Sequence, residues 1–331
     1  MKIFITGATG FIGSHLVKTL QERNNCEIKC LVRKNSKTGN LQKCDAELFF
    51  GDLLDKNSLQ EGVKDCKVIY HLAGKVFARK TEDFIDVNVT GTKNLLEAAV
   101  SAKIEKFIYF SSIAAVGPNR RKDVLLNENS PCRPITSYGK SKYEAEKLVH
   151  AFSKHYELSS IIIRPPMVYG PGATDCRSAK LFEMIRGKKF VFIGDGKNTL
   201  NTCYIENLIH GVLLLNEKGK SLGDKTYFFA DAEVSTMQEL VSLIAAKEKV
   251  KVNNIHMPIA CAQYIAFLLQ GLSKLFNFSP LITSDMVGEL INSWHYDMTL
   301  GTRELGYVPK VQLHDGIERT VSWYRDRRGI V

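Results

Sequence analysis

A β-branched run, Lys2-Ile3-Phe4-Ile5-Thr6, passes without a spacer into Gly7-Ala8-Thr9-Gly10-Phe11-Ile12-Gly13, and a helical pattern comes next. Glycines at intervals of three between a strand and a helix demand a tight turn whose bare backbone approaches a neighbour closely. Such a turn lets the chain meet a pyrophosphate, while the helix N-terminus supplies N–H donors and the positive end of its dipole. Gly7, Thr9, Gly10, Phe11, Ile12 and Gly13 are therefore candidate contacts to a dinucleotide. The helix is expected to begin at Ser14.

Beyond this turn the chain keeps alternating strand and helix. Glu27–Val32, Ala46–Phe50, Val68–Ala73, Lys106–Ser111 and Ser160–Arg164 read as further strands, and Gly13–Arg23, Asp86–Ala102 and Tyr138–His155 as crossover helices. A β-α-β order implies an α/β fold, a Rossmann-type doubly wound parallel sheet with helices on both faces. After Arg164 the pattern becomes shorter and more irregular. We expect residues 1–165 to bind the dinucleotide and 166–331 to form a smaller, mixed α/β substrate domain, some of whose segments return to the sheet.

An acidic side chain at the end of the second strand would meet the adenosine ribose hydroxyls. Here that place reads Leu31-Val32-Arg33-Lys34. A guanidinium suits a 2′-phosphate through charge-assisted hydrogen bonds, so Arg33 and Lys34 point to NADP(H) ahead of NAD(H). Asp52 and Leu53 come after the third strand at the expected place of the adenine. Leu72, Ala73 and Gly74 come after the fourth, along the cofactor.

Tyr138-Gly139-Lys140-Ser141-Lys142 sets a Tyr and a Lys four apart at a helix start, on one face. A cation beside the phenol brings it into range as a general acid/base. Ser112 stands at the carboxyl edge of the fifth strand, where open α/β sheets bind ligands, and its hydroxyl can hold the oxygen whose proton the Tyr handles.

With these pieces in order, the chain resembles the extended short-chain dehydrogenase/reductase superfamily, the NAD-dependent epimerase/dehydratase family. The resemblance covers the whole chain and includes His71-Leu72-Ala73-Gly74, Asn88-Val89-Thr90-Gly91-Thr92 and Arg164-Pro165-Pro166-Met167-Val168-Tyr169-Gly170-Pro171-Gly172. It implies that Ser112, Tyr138 and Lys142 are catalytic. It further implies that Asn88 and Pro165 lie beside the cofactor and that Lys75, Met167 and Val168 line the substrate pocket.

Within the family, dehydratases carry Thr-Asp-Glu where this chain reads Ser112-Ile113-Ala114, which disfavours elimination of water. Nucleotide-sugar enzymes carry an Asn at the position of Met167 and an Arg that aligns with Leu200. Two lost diphosphate contacts favour an apolar substrate, sterol-, flavonoid- or oxoacyl-lipid-like, and the closest likeness is to the 3β-hydroxysteroid dehydrogenase and dihydroflavonol reductase branch. The expected activity is an NADP(H)-dependent exchange between a secondary alcohol and a ketone. Nucleotide-sugar 4-epimerisation or reduction is the alternative, and a non-catalytic NADP(H)-binding scaffold a third.

The net charge of +10 and pI near 9.1 raise the question of nucleic acid or an anionic membrane as partner. No nucleic-acid motif accompanies Arg120-Arg121-Lys122 or Arg325-x-Arg327-Arg328, so no nucleic acid is expected. Eight cysteines without a Cys-x-x-Cys pair give no metal site, and an opening that leaves no room for a signal peptide suggests a reducing, cytoplasmic setting. The resemblance implies a homodimer through the helices at Asn88–Ala102 and Tyr138–His155. Met257–Ser273 carries no charge and reads as a buried helix, a lid over an apolar pocket, or an interfacial contact that could touch a membrane.

Overall fold

The structure is a computed structural model that describes residues 1–23, 26–119, 125–217, 223–276, 278, 280 and 282–328. Arg120-Arg121-Lys122, and the side chains of Lys274 and Arg328, lie outside the described residues.

The first half is built from β1 (Lys2–Thr6), α1 (Phe11–Glu22), β2 (Glu27–Val32), β3 (Glu47–Phe50), α2 (Lys56–Gly62), β4 (Val68–His71), α3 (Thr81–Phe84), α4 (Gly91–Ser101), β5 (Lys106–Phe110), α5 (Ser137–Tyr156) and β6 (Ser159–Ile163). The second half adds β7 (Met167–Tyr169), α6 (Arg177–Arg186), β8 (Phe192–Ile193), β9 (Thr199–Tyr204), α7 (Ile205–Glu217), β10 (Lys225–Tyr227), β11 (Val234–Thr236), α8 (Met237–Glu248), β12 (His256–Met257), α9 (Ile259–Phe276), α10 (Ser284–Ile291), α11 (Thr299–Leu305) and α12 (Leu313–Arg328).

Seven strands pair in parallel in the spatial order β3-β2-β1-β4-β5-β6-β10. Chain order reverses at β1, so the carboxyl ends of β1 and β4 open a crevice there, the usual seat of a ligand in such sheets. β1 is apolar on both faces because both are covered. Ile3 and Ile5 pack with Leu16, Val17 and Leu20 of α1 and Leu208 and Val212 of α7, whereas Phe4 packs with Leu59 of α2 and Leu95 and Leu96 of α4. The second half gives β10 to this sheet, through Lys225↔Ile161 to Tyr227↔Ile163, and adds two small sheets, β11-β9-β7 and β12-β8. No helix among the described residues is long and apolar enough to cross a membrane.

Two expectations need correction, and one helix has no counterpart in the sequence reading. Helix α1 begins at Phe11, three residues before Ser14, because Gly13 belongs to its first turn: a Cβ there would lie 2.2 Å from the Gly7 carbonyl oxygen. Close packing, not helix propensity, decides that position. The segment Asp86–Ala102 is not one regular helix, since Ile85–Thr90 forms a π-helical turn between α3 and α4, with Asn88 inside it. Such turns recur at functional sites. Finally α2, seven residues long, is too short for apolar periodicity to reveal; its signal is the N-cap Asp55, whose carboxylate accepts from the amides of Asn57 and Ser58.

Candidate active site

The glycine turn is set by contacts that admit no side chain. Gly7 has φ +74°, a left-handed conformation, and a Cβ on it would lie 2.6 Å from the nitrogen of Ala73, two residues past β4. The Gly10 amide donates to the Gly7 carbonyl at 3.0 Å, closing the turn. Gly10 caps α1 with no side-chain hydrogen bond, and the first turn carries no acid. The first amides of the helix are thus left for an outside acceptor, as a pyrophosphate requires.

Beneath this turn runs a buried chain of hydrogen bonds. The Ala73 amide donates to Thr6 Oγ1 at 3.2 Å, Thr6 Oγ1 and His71 Nδ1 lie 2.7 Å apart, His71 Nε2 and Thr92 Oγ1 2.9 Å, and Thr92 donates to the Asn88 carbonyl at 2.6 Å. Because the Thr92 proton is committed to that carbonyl, the network assigns the imidazole proton to Nε2 and makes Thr6 the donor to Nδ1. Burial, with the nearby Lys142 charge, pushes the His71 pKa down to about 3, so the ring is neutral. The chain ties β1, β4 and the start of α4 into one floor.

Asn88 extends that floor to the helix of the Tyr and the Lys. Its Oδ1 accepts the Lys75 amide at 2.7 Å, and its Nδ2 donates to the Lys75 carbonyl at 3.0 Å and to Ser141 Oγ at 2.9 Å. The Lys75 ammonium pairs with Asp83 at 3.3 Å. A Cβ on Gly74 would stand 3.2 Å from Asn88 Oδ1 and 3.7 Å from Lys142 Nζ, so the backbone after β4 runs directly past both.

Helix α5 starts where it does because Thr136 Oγ1 accepts the Gly139 amide at 3.0 Å. A Cβ on Gly139 would lie 2.2 Å from the Ala114 carbonyl oxygen, so glycine lets the head of α5 press against residues 112–114 and brings Tyr138 to Ser112. Ser112 Oγ also accepts the Ala114 amide at 3.1 Å. Lys142 is buried, donates to the Phe110 carbonyl at 2.6 Å and lies 4.4 Å from the centre of the Tyr109 ring. Burial pushes its pKa down to about 7, with Glu146 opposing.

Tyr138 is half-buried, and burial raises its phenol above the ordinary value, opposed by the Arg177 charge and the Ser112 contact. The Arg177 guanidinium lies 5.4 Å from the centre of the Tyr138 ring and pairs with Glu289 of α10. Sequence reading missed Arg177: it stands in no motif, and only its side chain, reaching from the start of α6 to Tyr138 of α5 and Glu289 of α10, brings it there. Phe84 and Phe77 complete this wall, Phe84 with its ring 6.1 Å from that of Tyr138 and Phe77 beneath Lys180 at 3.8 Å.

The remaining candidates divide. Arg33 and Lys34 are exposed at the end of β2 and make no ion pair among the described residues. Leu53 is buried, its carbonyl held by Asn94 at 3.0 Å, and Asp52 turns its carboxylate to the Leu54 amide at 2.9 Å. Pro165 accepts the Ile113 amide at 3.2 Å. Met167 and Val168 are part-buried in β7, whereas Leu200, in β9, is a core residue. Cys203 is wholly buried, and all eight cysteines are free. No cluster of three or more His, Cys, Asp or Glu that could hold a metal exists among the described residues.

Residues 3–228 match the profile of the NAD dependent epimerase/dehydratase family, which is more than half of the chain. The chain belongs to this family. It is an NAD(P)-dependent enzyme of the extended short-chain dehydrogenase/reductase type. Relatives along its whole length include a 4-hydroxy-2-methyl-3-oxo-4-farnesyl-3,4-dihydroquinoline-1-oxide ketoreductase of Stigmatella aurantiaca, 27% identical with 96% of this chain and 95% of the relative covered. An N-acetyl-alpha-D-glucosaminyl-diphospho-ditrans,octacis-undecaprenol 4-epimerase of Escherichia coli O157:H7 is 26% identical, with 97% and 94% covered. The crystal structure of a UDP-glucose 4-epimerase from Thermotoga maritima shares the fold, with a TM-score of 0.82 at 23% identity over 99% of this chain and 100% of that one. For this family member the uncapped amides of α1 and the bare backbone at Gly7 and Gly74 fit a nicotinamide dinucleotide.

Proposed function

We propose that the protein is an NADP(H)-dependent oxidoreductase that interconverts a secondary alcohol and a ketone on an apolar substrate. The observation that carries this reading is Tyr138 at Ser112 and, one turn on in α5, Lys142 Nζ on the Phe110 carbonyl and beside Gly74, at the carboxyl edge of β5. A bound nicotinamide dinucleotide supplies or accepts the hydride. The protein's own groups handle the proton and the oxygen.

The Ser112 hydroxyl holds the substrate oxygen, and the Tyr138 phenol, kept protonated at neutral pH by burial, gives its proton to that oxygen when a carbonyl is reduced. Lys142 and Arg177 stabilise the phenolate that remains, Lys142 from the floor and Arg177 from across the ring. Gly7, Thr9, Gly10, Phe11, Ile12 and Gly13 hold the pyrophosphate, Asp52 and Leu53 the adenine side, and Leu72, Ala73, Gly74 and Pro165 the length of the cofactor, with Asn88 fixing the backbone beneath. Arg33 and Lys34, exposed at the end of β2, take the 2′-phosphate. Lys75, Met167 and Val168 border the substrate, whose apolar character is supported by Phe77 and Phe84 beside Tyr138 and by the farnesyl-bearing substrate in the name of one relative.

The same reading keeps residues 1–165 as the cofactor unit and 166–331 as the substrate unit, a homodimer paired through α4 and α5, and work in a reducing cytoplasm. A second reading, 4-epimerisation of a sugar diphosphate, is favoured by Arg177 and Lys180, two cations beside the Tyr138 wall, and by the epimerase among the relatives.

Two experiments decide. With a panel of ketones, from sterols to sugar nucleotides, wild type is expected to oxidise NADPH stoichiometrically on an apolar ketone, and Tyr138→Phe to lose about 10²–10⁴-fold of that rate. An epimer formed without net change in NADPH would transfer the assignment to the second reading. Fluorescence titration should show tighter NADPH than NADH binding by wild type, with Arg33→Asp losing about 10–100-fold for NADPH alone. Equal wild-type affinities would remove the cofactor preference.

A further inference from the structure

Helix α9 is assembled inside out. Its packed side is Ala262 and Ala266, wholly buried with Val287 of α10 and Ile193. Its large side chains face outward: Phe267 is 71% exposed, Phe276 68% and Tyr264 64%, with Ile259, Leu268 and Leu272 also exposed. At 100° per residue, Phe267, Tyr264, Leu268, Leu272 and Phe276 spread over roughly 180° of the helix. An amphipathic helix of a globular protein turns its apolar stripe inward and its charges outward. This one has small apolar residues inside, large ones outside, and no charged residue from Ile259 to Ser273.

We infer that the outer face of α9 is a seat for an anionic lipid surface. The width of the face argues for fluid lipid over a second protein: a rigid partner helix reaches a narrow seam, whereas acyl chains close around a half-sunk cylinder. Polarity argues the same way, since a protein interface carries about one hydrogen bond per 100–200 Å², and among the described residues this face offers the Tyr264 hydroxyl, the Cys261 thiol and, at its edge, the Gln263 amide. An aromatic hydroxyl ring suits the boundary between headgroups and chains. The charge is complementary too, because from Lys251 to Ser284 the sequence holds two lysines and no carboxylate, in a chain of net charge +10.

The seat is wired to the site. Helix α10, on which α9 packs, accepts the Ser137 amide through Asp285 at 2.7 Å, at the head of the Tyr138 helix, and holds Arg177 through Glu289. A chain docked by α9 therefore works with its α10 side toward the lipid. This inference does not rest on the proposed substrate, because docking is read without turnover, while NADPH oxidation by a water-soluble ketone tests the reaction separately.

The test is flotation of the full chain with phosphatidylcholine vesicles with and without phosphatidylglycerol. Wild type should float with the anionic vesicles. Tyr264→Ser/Phe267→Ser/Leu272→Ser, three exposed positions, should bind at least about tenfold more weakly, with unchanged circular dichroism and NADPH affinity. Wild type left at the bottom of the gradient, or a triple variant that floats equally well, overturns the inference. So does wild type sedimenting as a dimer that the triple variant splits while neither touches lipid, which would make the face a contact between copies.

Discussion

The floor under the glycine turn and the cap over Tyr138 are built on opposite rules. The floor is fixed by backbone: Gly7 and Gly13 leave no room for a Cβ, Gly74 little, and Thr6, His71, Thr92 and Asn88 satisfy one another below them. The cap is fixed by side chains that reach in from separate elements, Arg177 from α6, Glu289 and Asp285 from α10, Phe77 and Phe84 from before α4. A floor of this kind holds one cofactor in one place. A cap of this kind can change its substrate by changing single residues.

The largest effect should come from breaking the floor. Gly13→Ala places a Cβ where the Gly7 carbonyl oxygen is 2.2 Å away, and backbone cannot yield as a side-chain tip does. Dinucleotide affinity should fall by about a hundredfold or more, equivalent to at least about 2.7 kcal/mol. Titration by fluorescence checks it, and unchanged affinity would show that the turn does not hold the cofactor.

This contrast also explains how much of the molecule is legible in its sequence. Parallel strands covered on both faces spell continuous apolar runs, such as Ile3-Phe4-Ile5 and Ile161-Ile162-Ile163, and the glycine turn has a fixed spacing, so the sheet and its carboxyl edge are readable. The π-helical turn at Ile85–Thr90 is not, because the sequence there keeps helical spacing and only tertiary contacts to Asn88 accompany the change. Arg177 is invisible for a related reason. It reaches Tyr138 from a distant point of the chain, through the packing of helices whose order in space no local pattern states. In α9 the composition is plain but the orientation is not: an uncharged helix leaves a buried helix, a lid and an interfacial contact open, and the structure buries its alanines and exposes its aromatics.

A medium effect is expected from the buried imidazole. In the folded chain the His71 pKa lies at about 3, whereas in the unfolded chain it returns to about 6.5. Between those values the unfolded state binds a proton that the folded state refuses, so stability falls as pH falls from about 6.5, by at most about 1.4 kcal/mol per pH unit from this group. His71→Leu leaves the Thr6 and Thr92 hydroxyls short of a partner and should lower stability at pH 7.5 by about 1–3 kcal/mol. It also removes the titration, so the advantage of wild type over the variant should shrink between pH 6 and pH 4. Urea unfolding at a series of pH values measures both. A constant difference would show that the ring is charged or exposed, and that the floor is not the closed network described.

The smallest effect belongs to the cap. Arg177 lowers the Tyr138 pKa against the burial that raises it. Arg177→Met removes that cation, which disfavours the phenolate. The Tyr138-dependent limb of the kcat profile should therefore move to higher pH, with NADPH affinity unchanged, and Arg177→Lys should restore part of the shift because it returns the charge without the planar fork. If the variant instead loses cofactor affinity and leaves the pH profile in place, Arg177 belongs to the floor and the division between the two regions fails. If the profile moves as expected, a cation supplied by the second half of the chain tunes an acid that the glycine-bounded half positions, and the two halves are coupled through Tyr138.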